Sequence, residues 1–183
     1  HQHPELSGQE YQTTAFLRER LEELGIRILE SGLKTGLIAE IGSGQPVVAL
    51  RADIDALPIL EQTNLPYQSQ HPGVMHACGH DFHQTSLLGA AALLKEKEDQ
   101  LEGTIRLIFQ PAEEISEGAS DVLATGLLED VQGIIGFHNI PQLKAGQLAL
   151  NAGAMMAGVE KFKVTVTGVS SHAARPDLGV DTV

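Results

Sequence analysis

The stretch PVVALRADID (Pro46–Asp55) decides the fold. Apolar residues run through it without the alternation of a half-exposed strand, and it ends abruptly in Arg51, Asp53 and Asp55. A continuous apolar run of this length between turn residues is the mark of a strand covered on both faces. Two further runs read the same way, GTIRLIFQPAEE (103–114) and GIIGFHNIP (133–141). Between the three lie helical candidates over roughly 81–98, containing SLLGAAALLKEK, and roughly 117–129, EGASDVLATGLLE. Strand, helix, strand, helix, strand predicts an α/β fold with a mostly parallel sheet and flanking helices.

Upstream, SGQEYQTTAFLRERLEELG predicts a helix. Ser7 is placed to cap it, Glu10 three residues on completes a capping box, and Gly25 ends it. Phe16, Leu17, Leu21 and Leu24 share one stripe. IRILE and TGLIAEIG follow as strands around a Ser31-Gly32 turn. The texture changes near Asn151. In EKFKVTVTG, Phe162, Val164 and Val166 alternate with Lys161, Lys163, Thr165 and Thr167, as in a strand with one wet face. This predicts an α/β domain over 1–154 and the start of a second, open-faced sheet domain over 155–183. One strand cannot stand as a sheet, so the expectation is that the chain is part of a longer polypeptide.

Composition narrows the function. The 183 residues are 42% hydrophobic but only 4% aromatic, so an aliphatic core is expected. Acids outnumber bases 24 to 12, for a net charge of −12. That balance argues against nucleic acid and against an anionic membrane, both of which require clustered Lys and Arg. No apolar run approaches the ~20 residues needed to cross a bilayer. The single cysteine cannot close an internal disulfide, which fits a reducing, cytoplasmic setting.

Ligands of open α/β sheets bind beyond the carboxyl ends of the strands. All three runs end there in polar residues: Arg51, Asp53 and Asp55; Gln110, Pro111, Glu113 and Glu114; His138 and Asn139. The lone thiol lies between the first two runs, in MHACGHDFHQTS (75–86). Cys78 and His80 flank Gly79, whose freedom lets both side chains converge. A thiolate and an imidazole suit zinc and similar ions. His76 and His80 have helical i,i+4 spacing, but the helical zinc-protease motif fails, because no Glu follows the first His and Gly79 interrupts. His83 is expected to pack or hydrogen-bond near the site. Glu113 and Glu114 are adjacent, so in extended chain they point opposite ways. One can bind metal while the other reaches a water as general base. A nucleophilic Cys78 served by His76 or His80, with Asp81 close by, is the rival reading. It leaves Glu113, Glu114 and His138 without a purpose, whereas a metal centre uses them all.

Taken together, HQHPELSGQE, RADIDALPI, MHACGHDFHQT, FQPAEE, GFHNIP and SSHAARPDLGVD resemble, in this order, the M20 metallopeptidase family. They are most similar to its amidohydrolase branch of hippurate hydrolases, N-acyl-amino-acid deacylases, N-acetyldiaminopimelate deacetylases and plant auxin-conjugate hydrolases. The resemblance implies a catalytic α/β domain with two divalent ions (Zn, Mn, Ni or Co) and an inserted lid that makes a homodimer contact. It implies metal ligation by Cys78, His80, Glu114 and His138, with Cys78 between the ions. Glu113 matches the general base, Asp53 an acid supporting a ligand, and His172 a lid histidine that polarises the scissile carbonyl. The family's last ligand is a histidine after the lid, beyond Val183. Its first helix before HQHPEL has no counterpart here, and Gly8 stands where an aromatic is expected. The reaction so implied is hydrolysis of the amide bond of small N-acyl amino acids. The rival from the same fold is a non-catalytic binding relative.

Overall fold

The computed structural model describes residues 1–160 and 162–182. The chain divides into two compact units, His1–Pro141 and Gln142–Val183. In the first, the order is α1 (Tyr11–Glu23), β1 (Arg27–Leu29), β2 (Leu37–Ser43), β3 (Val47–Asp53), α2 (His80–Lys95), β4 (Gly103–Gln110), α3 (Gly118–Ala124) and β5 (Val131–Gly136). The strands form one sheet in the order β1-β2-β4-β3-β5. β3 runs parallel to both β4 and β5, while β1 and β2 join as an antiparallel flank. The α/β architecture thus matches the sequence expectation, with a mixed sheet whose three site-bearing strands are parallel.

The unbroken apolar runs are explained by two covered faces. Leu37, Ala39, Ile41, Leu107 and Phe109 pack with Leu17 and Leu21 of α1 and Leu87 and Ala91 of α2. Ile38, Ala49 and Ile108 turn to the other face and meet Val122 of α3. β5 differs from its sequence reading. It is an edge strand, and Ile134 and Ile135 lie exposed. The parallel register sets Asp53 opposite Gln110 and Arg51 opposite Gly136, so the carboxyl ends of β3, β4 and β5 share one rim.

The α1 capping box does not form. The helix begins at Tyr11 with Glu10 in the cap position and no side-chain cap bond. Ser7 and Glu10 are drawn instead into long-range bonds described below. Gly25 ends α1 with φ +66°, as its sequence position predicts. Phe16 leaves the apolar stripe and is exposed, while Leu17 and Leu21 are buried. No helix among the described residues is long and apolar enough to cross a membrane.

In the second unit, Val169 and Val180 form an antiparallel bridge, closed by the short 3-10 turn Pro176–Leu178. The expected strand over 160–168 forms no ladder among the described residues, and Lys161 lies outside them. Phe162, Val164 and Val166 are exposed. Their alternation supplies one apolar face, but a strand also needs a neighbour to accept its backbone bonds.

Leu21 has no exposed surface and lies at the junction of α1 with the sheet. We expect Leu21→Ala to cost about 2–5 kcal/mol in urea unfolding. A loss well below that range would mean that α1 is not part of the core.

Candidate metal centre

α2 begins at His80, directly after Gly79, which adopts φ +85°. A Cβ on Gly79 would stand 2.5 Å from the Asn139 side chain. Glycine is therefore required twice, for the left-handed turn and for the approach of the β5 loop. This turn presents Cys78 and His80 to the rim of the sheet, and His76 lies outside the helix, as the sequence reading of its spacing expects.

His80 is 1% exposed and is the pivot of the site. Its Nδ1–H donates to Asp55 at 3.1 Å. That bond leaves the Nε2 lone pair facing the rim. Nε2 is buried and has no hydrogen-bond partner. It lies 3.7 Å from Glu114 Oε1 and 3.9 Å from Glu113 Oε2. His138 is oriented in the same sense. Its Nδ1–H donates to the Asn139 carbonyl at 2.7 Å, and its Nε2 lies 3.3 Å from Cys78 Sγ. Donor atoms of Cys78, His80 and His138 fall within 4.8 Å of one another, as do those of His80, Glu113 and Glu114.

Asp53 is buried, with both oxygens engaged. One accepts from His83 Nδ1–H at 2.6 Å and the other from Arg51 at 2.7 Å. His83 in turn accepts the backbone N–H of Asn139 at 3.0 Å. It thereby links β3 to the loop carrying His138, matching its expected hydrogen-bonding part. The bond to His80 comes from Asp55, two residues after Asp53. Asp55 Oδ2 also accepts from the Ser7 hydroxyl at 2.7 Å and from the Glu114 N–H at 3.0 Å. Sequence reading noted Asp55 only as a strand end. Asp55 lies two residues beyond the end of β3, where strand periodicity no longer says which way a side chain points. His172 belongs to the second unit, where its Nδ1 accepts the Ala174 N–H at 3.2 Å within a turn.

The electrostatics are those of a pocket short of positive charge. Burial raises the Glu114 carboxyl, and Glu113 and Asp55 add to the shift. Burial would lower His80, but the Asp55 hydrogen bond and the charges of Asp53, Asp55 and Glu114 outweigh it and leave the imidazole raised. The Cys78 thiol is pushed up to about 12, by burial first and then by Glu114, Glu113 and Asp53. A nucleophilic cysteine needs the opposite, a thiolate favoured by nearby cations. Burial and the acids around Cys78 thus disfavour the thiolate that such a nucleophile requires. A thiol, one further imidazole and two carboxylates around the His80 nitrogen that lacks a hydrogen bond are a donor set fitted to divalent cations.

The family model described as peptidase family M20/M25/M40 matches residues 49–179. An N-acetyl-L-cysteine deacetylase of Bacillus subtilis is 54% identical over all of this chain, which covers 44% of that protein. An IAA-amino acid hydrolase, ILR1-like 5 of Arabidopsis thaliana, is 46% identical, again over the whole chain and 42% of its own length. The crystal structure of the Bacillus subtilis YXEP protein, described as a dinuclear metal binding peptidase from the M20 family, superimposes with a TM-score of 0.77. It is 58% identical, over 78% of this chain and 41% of that one. Fold and site together describe an α/β domain with a candidate divalent-metal centre at one rim of its sheet. The chain belongs to the M20 peptidase family, and it spans about half the length of the curated relatives it matches.

We expect Asp55→Asn to weaken divalent-metal affinity about 10–100-fold, with helix content by circular dichroism unchanged. Unaltered affinity in a metal titration would show that Asp55 does not orient His80.

Proposed function

We propose that this chain carries the metal centre of an amidohydrolase that cleaves the amide bond of small N-acyl amino acids. The observation that carries the proposal is the buried His80 Nε2, without a hydrogen bond, facing Cys78, His138, Glu113 and Glu114. The similar proteins include a named N-acetyl-L-cysteine deacetylase, an IAA-amino acid hydrolase and an N-acyl-L-amino acid amidohydrolase, which supports an acyl group on an amino-acid nitrogen as the substrate chemistry.

Cys78, His80, Glu114 and His138 would hold two divalent cations, with Zn, Mn, Ni and Co all compatible with sulfur, nitrogen and oxygen donors. When bound, the cations supply Lewis acidity towards a water and the substrate carbonyl. Glu113 is only half buried, and its carboxylate stands 3.9 Å from His80 Nε2. It is free to accept a proton from an attacking water and to return it to the leaving amine. Asp55 holds His80 in the tautomer that keeps Nε2 available, and Asp53 steadies the His138 loop through His83. His172 would stabilise the developing oxyanion from the lid. The second unit would begin that lid and provide the homodimer contact. A reduced thiol ligand suits the cytoplasm.

We expect Glu113→Gln, in the full-length protein, to retain its metal while turnover of an N-acetyl amino acid falls about 100–10,000-fold. Near wild-type deacylation would show that Glu113 is not the base. Chelation should abolish activity, and full activity after verified metal removal would restore the cysteine-hydrolase reading.

A further inference from the structure

Glu10 is a carboxylate with no exposed surface, far in sequence from every residue of the metal centre. Its Oε2 accepts the Thr35 hydroxyl at 2.8 Å. Its Oε1 accepts the backbone N–H of Ala112, 102 residues later in the chain, at 2.8 Å. Ala112 directly precedes Glu113 and has φ +49°, the left-handed region that a residue with a Cβ rarely adopts. An unsupported alanine would leave that conformation. The Glu10 bond is one restraint that holds it, and packing supplies others. A Cβ on Gly118 would collide with the Pro111 carbonyl, and one on Gly36 would lie 2.6 Å from the Pro111 ring. The loop is therefore pressed between two glycines while a buried carboxylate grips its N–H.

The residue after Glu113 is held as well. Asp55, itself held by Ser7, accepts the Glu114 N–H. The N–H groups of the two residues flanking Glu113 are thus both bonded to buried carboxylates, and the segment HPELSGQE feeds both grips. The side chain that sequence spacing would assign to a helix cap serves the site instead.

We infer that Glu10 is a positioning residue for the general base. It holds Ala112 left-handed, and so sets the direction in which Glu113 leaves the backbone. The inference rests on the reading of Glu113 as base. What matters is the reach of the acceptor oxygen. Glutamine keeps that reach, since its carbonyl can accept from Ala112 while its amide donates to Thr35. Aspartate keeps the charge but is one methylene too short.

The test is steady-state kinetics on the full-length, metal-loaded protein with an N-acetyl amino acid, for Glu10→Gln, Glu10→Asp, Glu10→Leu and Glu113→Gln. Metal content and melting temperature are measured on each. Leu21→Ala serves as a control that loses stability without touching the loop. We expect Glu10→Gln to keep kcat within about threefold, and Glu10→Asp and Glu10→Leu to lose about 10–100-fold in kcat with KM and metal content unchanged. Leu21→Ala, assayed below its melting temperature, should keep its kcat. Should Glu10→Leu fail to fold, Glu10→Asp against Glu10→Gln still decides. Wild-type kcat in Glu10→Asp, beside an inactive Glu113→Gln, would overturn the positioning role and leave the base in place. Loss in Glu10→Gln as deep as in Glu10→Asp would overturn it too, since charge rather than reach would then govern. An active Glu113→Gln would remove the base itself, and with it anything for Glu10 to position.

Discussion

One buried carboxylate, Asp55, joins distant stretches of the chain. It receives the Ser7 hydroxyl from the N-terminal segment, the Glu114 N–H from the loop after β4, and His80 Nδ1–H from the start of α2. An ion buried this deeply is tolerable only when its lone pairs are satisfied. Burial would raise its pKa, yet the bonds from His80, Glu114 and Ser7 outweigh that and keep it lowered. The same bonds fix which nitrogen of His80 carries the proton. The orientation of the rim-facing lone pair and the folding of the site's scaffold are therefore one interaction.

The parallel sheet makes this convergence geometrically simple. Parallel strands present their carboxyl ends at the same rim, so three loops from distant parts of the sequence open side by side. β3 ends on Asp53 and leads to Asp55, β4 leads to Glu113 and Glu114, and β5 leads to His138. Burial, with Glu113 and Asp55 beside it, raises Glu114, and the acids gathered there raise the thiol and His80 as well. A divalent cation relieves all of these shifts together, because it favours thiolate, carboxylate and neutral imidazole at once.

Much of this was legible in the sequence because it is local. Apolar runs and their polar ends identify strands and a rim. The Cys-Gly-His step and the paired glutamates gather metal-binding residue types at short range. Long-range bonding was not legible. Ser7 and Glu10 have the spacing of a capping box, but the pull of Asp55 and Ala112, each far away in sequence, outweighs a local cap worth only about 1 kcal/mol. Asp53 and Asp55 look equivalent in RADID; only the fold shows that Asp53 bonds Arg51 and His83 while Asp55 bonds His80. The alternation in EKFKVTVTG gives a strand's pattern, yet no ladder forms among the described residues there, because pairing depends on a neighbour that periodicity cannot supply.

The central claim is that Cys78 lies among metal ligands rather than acting as a nucleophile. X-ray absorption at the metal edge of the loaded full-length protein tests it directly. The account predicts a sulfur shell at about 2.3 Å for zinc that is absent from Cys78→Ser. A wild-type spectrum fitted by nitrogen and oxygen alone would contradict it.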